Sequence, residues 1–341
     1  MMKNYIKSEF SGILVCLVIL CACKNEEPSS SLPIEGNQII ADHIVVDRFD
    51  DIPQAYIDSV KKMWLTVPGE SHSAAYRTGL NLLEALYAAF AVNVTEEGTP
   101  EAYGTSHLRA SRAIWGSYSF SSGWVYSCGE GTWFTSSLGR SRVKAGITYC
   151  NTQGFNIAAM GFGWCWDATA GAPASSADPL YGVRWYGWSG AGPDGDKAWG
   201  LDAADYAETG NTVCLDTYLS ATQEYIDYCK SNGYRTKVFF TTGTVDTYKG
   251  EAGYQGHLKY ERIREYVRAD STRILFDYAD ILCHDDNGKQ TTTTWDGHIY
   301  PVITPTNLGD GSIGHIGEEG AIRLAKAMWW MLARIAGWDG E

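Results

Sequence analysis

Apolar residues recur along this chain with two periods. Residues 63–67, Met63-Trp64-Leu65-Thr66-Val67, form a short apolar run that predicts a buried strand. From 74 to 92, apolar residues at Ala75, Leu82, Leu83, Leu86 and Phe90 keep the spacing of one helix face. Residues 53–62 predict a short helix with Ile57 and Val60 inward, and residues 39–46 read as the lead-in to a strand. Residues 155–163 are continuously apolar and end in glycines, the mark of a central strand covered on both faces. Residues 217–230 predict a helix with Leu219, Tyr225, Ile226 and Cys229 on one side, stopped by Asn232-Gly233. A strand over 237–243, a helix over 260–269 and a mostly extended stretch over 273–282 follow. Residues 318–337 are strongly amphipathic, with Ala321, Leu324, Ala325, Met328, Leu332 and Ile335 inward. Strands alternating with helices predict an α/β fold, doubly wound around a mostly parallel sheet as a three-layer α/β/α sandwich. Function in such sheets gathers at the C-terminal strand ends.

The first 23 residues break this rhythm. Lys3 and Lys7 precede an apolar run over 13–20 that is too short to span a bilayer, which predicts a secretory signal. Its end, Leu20-Cys21-Ala22-Cys23, resembles a bacterial lipobox, so Cys23 is expected to carry a lipid anchor. Lys24-Asn25-Glu26-Glu27 is similar to the signal that sends some Bacteroidetes lipoproteins to the outer surface. The expectation is an exported outer-membrane or cell-surface lipoprotein of a Gram-negative bacterium, touching the membrane through its anchor alone. Residues 24–38, rich in Ser and Pro, predict a flexible tether. Residues 39–341 then form one domain, with an aromatic-rich insertion around 100–200.

Charge narrows the partners. A net charge of −13 with no Lys/Arg-rich run argues against nucleic acid, because nothing is placed to neutralise phosphates. A neutral ligand fits better. The chain holds 13 Trp and 21 Tyr, many among Gly and Ser between Trp115 and Trp199. Such rings can stack on sugar faces, although half-buried packing is the commoner use of each one. No phosphate-cradling Gly-Lys motif and no His/Cys cluster at zinc spacing occurs, so neither a cofactor nor a metal is expected. Six cysteines remain after Cys23, and export leads us to expect one or two disulfides among them.

The candidate chemistry starts at Val67-Pro68-Gly69-Glu70-Ser71-His72-Ser73, a polar turn between the first core strand and a helix. A serine there is presented by the backbone, beside helix N–H groups that can face an anion. The competing use is capping, for which either Ser71 or Ser73 would serve. Serine becomes nucleophilic only where a base takes its proton, and His315 stands in Gly309-Asp310-Gly311-Ser312-Ile313-Gly314-His315, just before the last helix. His298 is a rival base, but Asp296 beside it suggests a turn. His72 is expected to meet substrate or the helix start.

Gly69-Glu70-Ser71-His72-Ser73 resembles the first block of the SGNH (GDSL-type) hydrolases, and residues 309–320 with the helix after them resemble the last block. The resemblance spans roughly residues 60–338 and implies the flavodoxin-like SGNH fold. It implies an ester hydrolase with Ser71 as nucleophile and His315 as base; surface export and the Trp/Tyr-rich region add the expectation of a carbohydrate ester, with deacetylation of a glycan as the reaction. Glu70 stands where the family has Asp. The acid three residues before the histidine is replaced by Ser312, leaving Asp310, five before it, as candidate orienter. The family's oxyanion Asn is missing: the third strand ends Gly161-Phe162-Gly163-Trp164-Cys165-Trp166-Asp167. Ser71 N–H, with Gly129, Gly131 or Gly163 N–H, would hold the oxyanion. Gly69, Glu70, His72, Trp164, Trp166 and Asp167 complete the expected substrate contacts. Two other functions are open: glycoside cleavage by carboxylates such as Glu70 and Asp167, and glycan binding without catalysis. Asp246, Asp285 and Asp286 are further acids expected past strand ends.

Overall fold

The computed structural model of the protein describes residues 38–69, 71–96, 104–115, 124–125, 133, 137–164, 215–246 and 249–341. By its contacts the chain divides into Met1–Gly36 and Asn37–Glu341, and every described residue lies in the second unit. The signal, Cys23, most of the tether and residues 165–214 of the aromatic-rich region lie outside the described residues.

The parallel strands are β1 (Ile40–Ala41), β2 (Trp64–Thr66), β3 (Val92–Thr95) and β4 (Leu108–Ser111). A small antiparallel pair, β5 (Ile114–Trp115) and β6 (Trp124–Val125), comes before β7 (Ala159–Met160), β8 (Lys237–Val238), β9 (Phe240–Thr241) and β10 (Leu275–Phe276). Two parallel sheets run in the orders β3-β4-β2-β7-β8 and β1-β10-β9. They meet at Phe239, between β8 and β9. Its N–H donates to Met160 O at 2.9 Å, while the next N–H, of Phe240, donates to Ile274 O at 2.9 Å.

Alternation along these strands builds the layers. Leu65, Ala159, Phe239, Phe276 and Ala41 belong to one buried cluster, with α1 (Gln54–Val60), α2 (Ser73–Leu86) and the last long helix (Glu318–Ile335). Their neighbours Trp64, Met160, Val238, Phe240, Leu275 and Ile40 belong to a second cluster. That cluster is closed by α3 (Ser137–Gln153), α4 (Leu215–Ser231) and α5 (Gly250–Arg268). The protein is therefore an α/β/α sandwich around a mostly parallel sheet, as the periodicity predicts.

Several segments depart from the predicted elements, among them the helix expected over 74–92, which ends at Leu86, itself exposed, and gives way to a 3-10 turn and β3. Residues 278–282 do not continue the strand: Asp277 accepts the Asp280 N–H at 3.2 Å and caps α6 (Tyr278–Cys283). The apolar run at 43–46 winds into a 3-10 helix, His43–Asp51, where Asp42 accepts the Ile44 N–H at 3.0 Å and Val45, Val46 and Phe49 face the core. Residues 292–301 form an antiparallel hairpin, β11 (Thr292–Trp295) and β12 (His298–Pro301). Asp296 and Gly297 turn it with φ of 46° and 80°, the positive values a two-residue hairpin loop requires. The short α7 (Pro305–Leu308) and the long α8 (Glu318–Ile335) complete the chain.

The expected disulfides are not found where they can be checked. Cys150, Cys229 and Cys283 are buried and form no disulfide, Cys150 and Cys229 lying in the second apolar cluster; Cys128, Cys165 and Cys214 lie outside the described residues. Among the described residues no helix is long and apolar enough to cross a membrane.

Candidate active site

The C-terminal end of β2 runs through Val67 and Pro68 into the turn that carries Ser71. Two features hold this turn. Arg77, fully buried in α2, donates from Nη1 to Val67 O at 2.8 Å and to Ser73 O at 2.9 Å, tying the strand end to the first turn of the helix. Gly69, at φ 141°, pairs with Gly163 beyond β7; a Cβ on Gly69 would lie 2.1 Å from Gly163 O, so only glycine permits the approach. Neither serine caps the helix: the N-cap position of α2 is His72, and no side chain bonds there.

His315 reaches the same turn from the loop before α8. Its φ is 71°, a left-handed conformation uncommon for a residue with a side chain, held between the bridged residues Ile313 and Ile316. Gly314 brings that loop in, since a Cβ there would meet Ser71 O at 2.7 Å and Ala75 N at 3.1 Å. The outcome is a hydrogen bond of 2.8 Å between Ser71 Oγ and His315 Nε2, both residues being exposed to solvent.

Below this pair lies a second, buried one. His72 Nε2 donates to Asp246 Oδ1 at 3.0 Å, with side chains 1% and 3% exposed. The His72 ring stacks on that of His315, centroids 4.6 Å apart and planes at 29°. Asp246 follows β9 at the C-terminal edge of the sheet; its place after a strand is the signal for it in the sequence, but nothing there pairs it with His72. Close by, burial holds the Tyr278 phenol well above its usual range, with the charge of Asp246 adding to the effect.

Several expected site residues have other roles. Asp310 does not orient His315. Its exposed carboxylate accepts the Ser312 N–H at 3.0 Å within its own turn, and these Ser312 bonds hold it below the usual carboxylate range. Gly163 cannot supply an oxyanion donor, because its N–H is given to Pro68 O at 2.9 Å. Trp164 is not a substrate platform: it is buried in the second core, packed on Phe162 and Tyr218 with centroids 4.8 and 4.5 Å away. His72 is too deeply buried to touch substrate. Glu70, Gly129, Gly131, Trp166 and Asp167 lie outside the described residues. Among the described residues no hydrogen bond engages the N–H of Ser71 or His72, so the start of α2 offers donors beside Ser71 Oγ. His298 sits in the β11–β12 hairpin, stacked on Tyr254 at 4.5 Å. Asp285 accepts the N–H groups of Asn287 and Lys289 in a turn after α6, and Asp286 pairs with Arg323.

One further group, His43, Asp280 and His284, has the residue types of a metal centre, with ligand atoms within 4.8 Å of one another. The Nδ1 atoms of both histidines are engaged within the cluster itself. Asp280 Oδ2 lies 2.5 Å from His43 Nδ1, and Asp280 O accepts from His284 Nδ1 at 2.8 Å. The two rings stack at 3.5 Å and 11°, which sets their in-plane lone pairs side by side instead of converging on one ion. Burial works to raise the Asp280 carboxyl, but the His43 bond and nearby cations bring it down to about 2. Burial likewise works to lower His43, and the Asp280 bond and charge reverse it, so His43 is raised. The cluster is an ion pair that fastens the end of β1 to α6.

Compared with known proteins, the chain matches no family model, and no curated protein resembles it at a significant level.

Proposed function

We propose that the protein is a serine hydrolase of SGNH type that removes acyl groups from glycans, exported and held at the cell surface by a lipid on Cys23. The observation that carries this reading is the 2.8 Å contact of Ser71 Oγ with His315 Nε2 at the C-terminal edge of a parallel sheet. A serine hydroxyl bonded to an imidazole nitrogen on an exposed strand-to-helix turn has the geometry of a nucleophile and its base. The similarity of residues 69–73 and 309–320 to the first and last SGNH blocks points the same way.

In the reaction, Ser71 Oγ attacks the acyl carbon of the ester while His315 Nε2 takes the hydroxyl proton. The tetrahedral oxyanion faces the N–H groups at the start of α2. The C–O bond to the sugar then breaks, and His315 returns the proton to the departing sugar oxygen. Water, deprotonated by His315, attacks the acyl-serine; Ser71 Oγ leaves and is reprotonated, and the free acid departs. Acetate release from acetylated oligosaccharides by the wild-type protein, lost in Ser71→Ala, is the expected result. Undiminished release by Ser71→Ala would sink the mechanism.

A further inference from the structure

The catalytic base of a serine hydrolase is ordinarily steadied by a carboxylate on its second nitrogen. Here the only acid on the histidine's own loop, Asp310, is bonded to Ser312. The carboxylate nearest in the stacked arrangement is Asp246, one ring further in. We infer that His72 and Asp246 together are the positioning residues of His315, acting through the stacked imidazole faces in place of a carboxylate on its Nδ1; this rests on the ester-hydrolase reading above.

Three observations carry it. The Asp246 bond fixes the Nε2–H tautomer of His72 and the plane of its ring, because both side chains are enclosed by protein. His72 Nδ1 is buried with no hydrogen-bond partner among the described residues, so a second proton there would lack an acceptor. The pair therefore keeps the negative charge of Asp246 instead of neutralising it. Finally, His315 lies flat on that fixed ring, at 4.6 Å, while its Nε2 meets Ser71. When His315 takes the serine proton, the resulting imidazolium has an aromatic face beneath it and, beyond that face, a carboxylate enclosed by protein. Stacking also limits ring rotation, which His315 needs because its exposed loop supplies no other described anchor. Among the described residues, the ionisable groups that face this stack include His315 above it, Asp246 at its inner end, and Tyr278 of α6 near Asp246.

The test compares wild type with Asp246→Asn, which keeps an acceptor for His72 but removes the charge. With p-nitrophenyl acetate, kcat is expected to fall about 10- to 100-fold with little change in KM, as for a base that is misplaced rather than lost. The acid limb of kcat/KM against pH should move roughly half a unit to one unit lower, because the imidazolium loses a carboxylate. An unchanged kcat and an unmoved limb would overturn the inference. A second variant, His72→Phe with Asp246→Leu, keeps a ring under His315 and removes both members of the buried pair together; it should show the same acid-limb shift, and wild-type behaviour would overturn the inference independently of how Asp246→Asn folds. Histidine NMR in a Ser71→Ala background separates this result from the hydrolase reading. The His315 ring should titrate at lower pH once Asp246→Asn is added, whether or not any ester is cleaved, and an unmoved titration contradicts the inference.

Discussion

Nε2 of His315 lies 2.8 Å from Oγ of Ser71 across 244 positions of sequence, and the residue that makes the approach possible is Gly314. Its φ of 54° and the 2.7 Å that would separate a Cβ from Ser71 O leave no room for a side chain. Gly314→Ala must push the loop away from the turn. We expect a loss of about 100-fold in kcat/KM, from a shift of the base by an ångström or so, and a stability cost on the order of 1–3 kcal/mol. Steady-state kinetics and a thermal melt check both; full activity would mean that the loop does not need its close seat.

Asp310 is the acid that the last-block resemblance singles out, yet its carboxylate is engaged with Ser312. Asp310→Asn can keep that turn bond through its amide oxygen. Its kcat/KM should stay within about threefold of wild type, whereas removing a working triad aspartate costs about 10⁴-fold. A loss of that larger size would show that Asp310 reaches His315 during turnover.

Stability should respond to pH through Asp42. Burial, then the charges of Asp280 and Asp277, raise its carboxyl from 3.8 to about 6. The folded protein thus holds this proton more tightly than the unfolded chain does. Its contribution is fully present below about pH 4 and is lost as pH rises through about 6. Asp42→Asn retains an acceptor for the Ile44 N–H but carries no charge. It should stabilise the protein by on the order of 1–3 kcal/mol at pH 8 and by almost nothing near pH 4, read from urea unfolding at the two pH values. Equal effects at both would contradict the assignment.

The three described cysteines should be inert. Cys150, Cys229 and Cys283 are buried, and burial pushes the Cys229 thiol up to about 11. Thiolate is the reactive form, so iodoacetamide should leave all three unmodified in the folded protein and alkylate them in 6 M guanidinium. Peptide mass spectrometry distinguishes the two states, and rapid labelling of native Cys229 would contradict its burial.

The pattern of apolar residues revealed the layers because both faces of the sheet are covered. The central runs containing Leu65, Ala159 and Phe239 are unbroken, and α8 shows a clean helical face. Where a polar cap decides the outcome, the pattern misleads: Tyr278 to Leu282 is as apolar as a strand, and only Asp277 turns it into a helix. Strands β3 and β4 went unseen, because Asn93, Arg109 and Ser111 interrupt their apolar character. Ser71 and His315 were legible because each sits at a junction between elements. The His72–Asp246 pair was not, since no spacing or motif links the two residues, which meet only when the end of β9 folds against the start of α2. The misassignment of Asp310 has the same origin, for spacing along a loop cannot tell which hydrogen bond a short carboxylate will choose.

If His315 makes Ser71 a nucleophile, a fluorophosphonate probe will report it. Such reagents phosphonylate an activated serine by displacing fluoride. Intact mass should show a single adduct, peptide mapping should place it on Ser71, and His315→Ala should slow its formation by roughly 10² or more, the contribution of a general base. Absence of an adduct, or labelling that proceeds equally fast without His315, would contradict the claim.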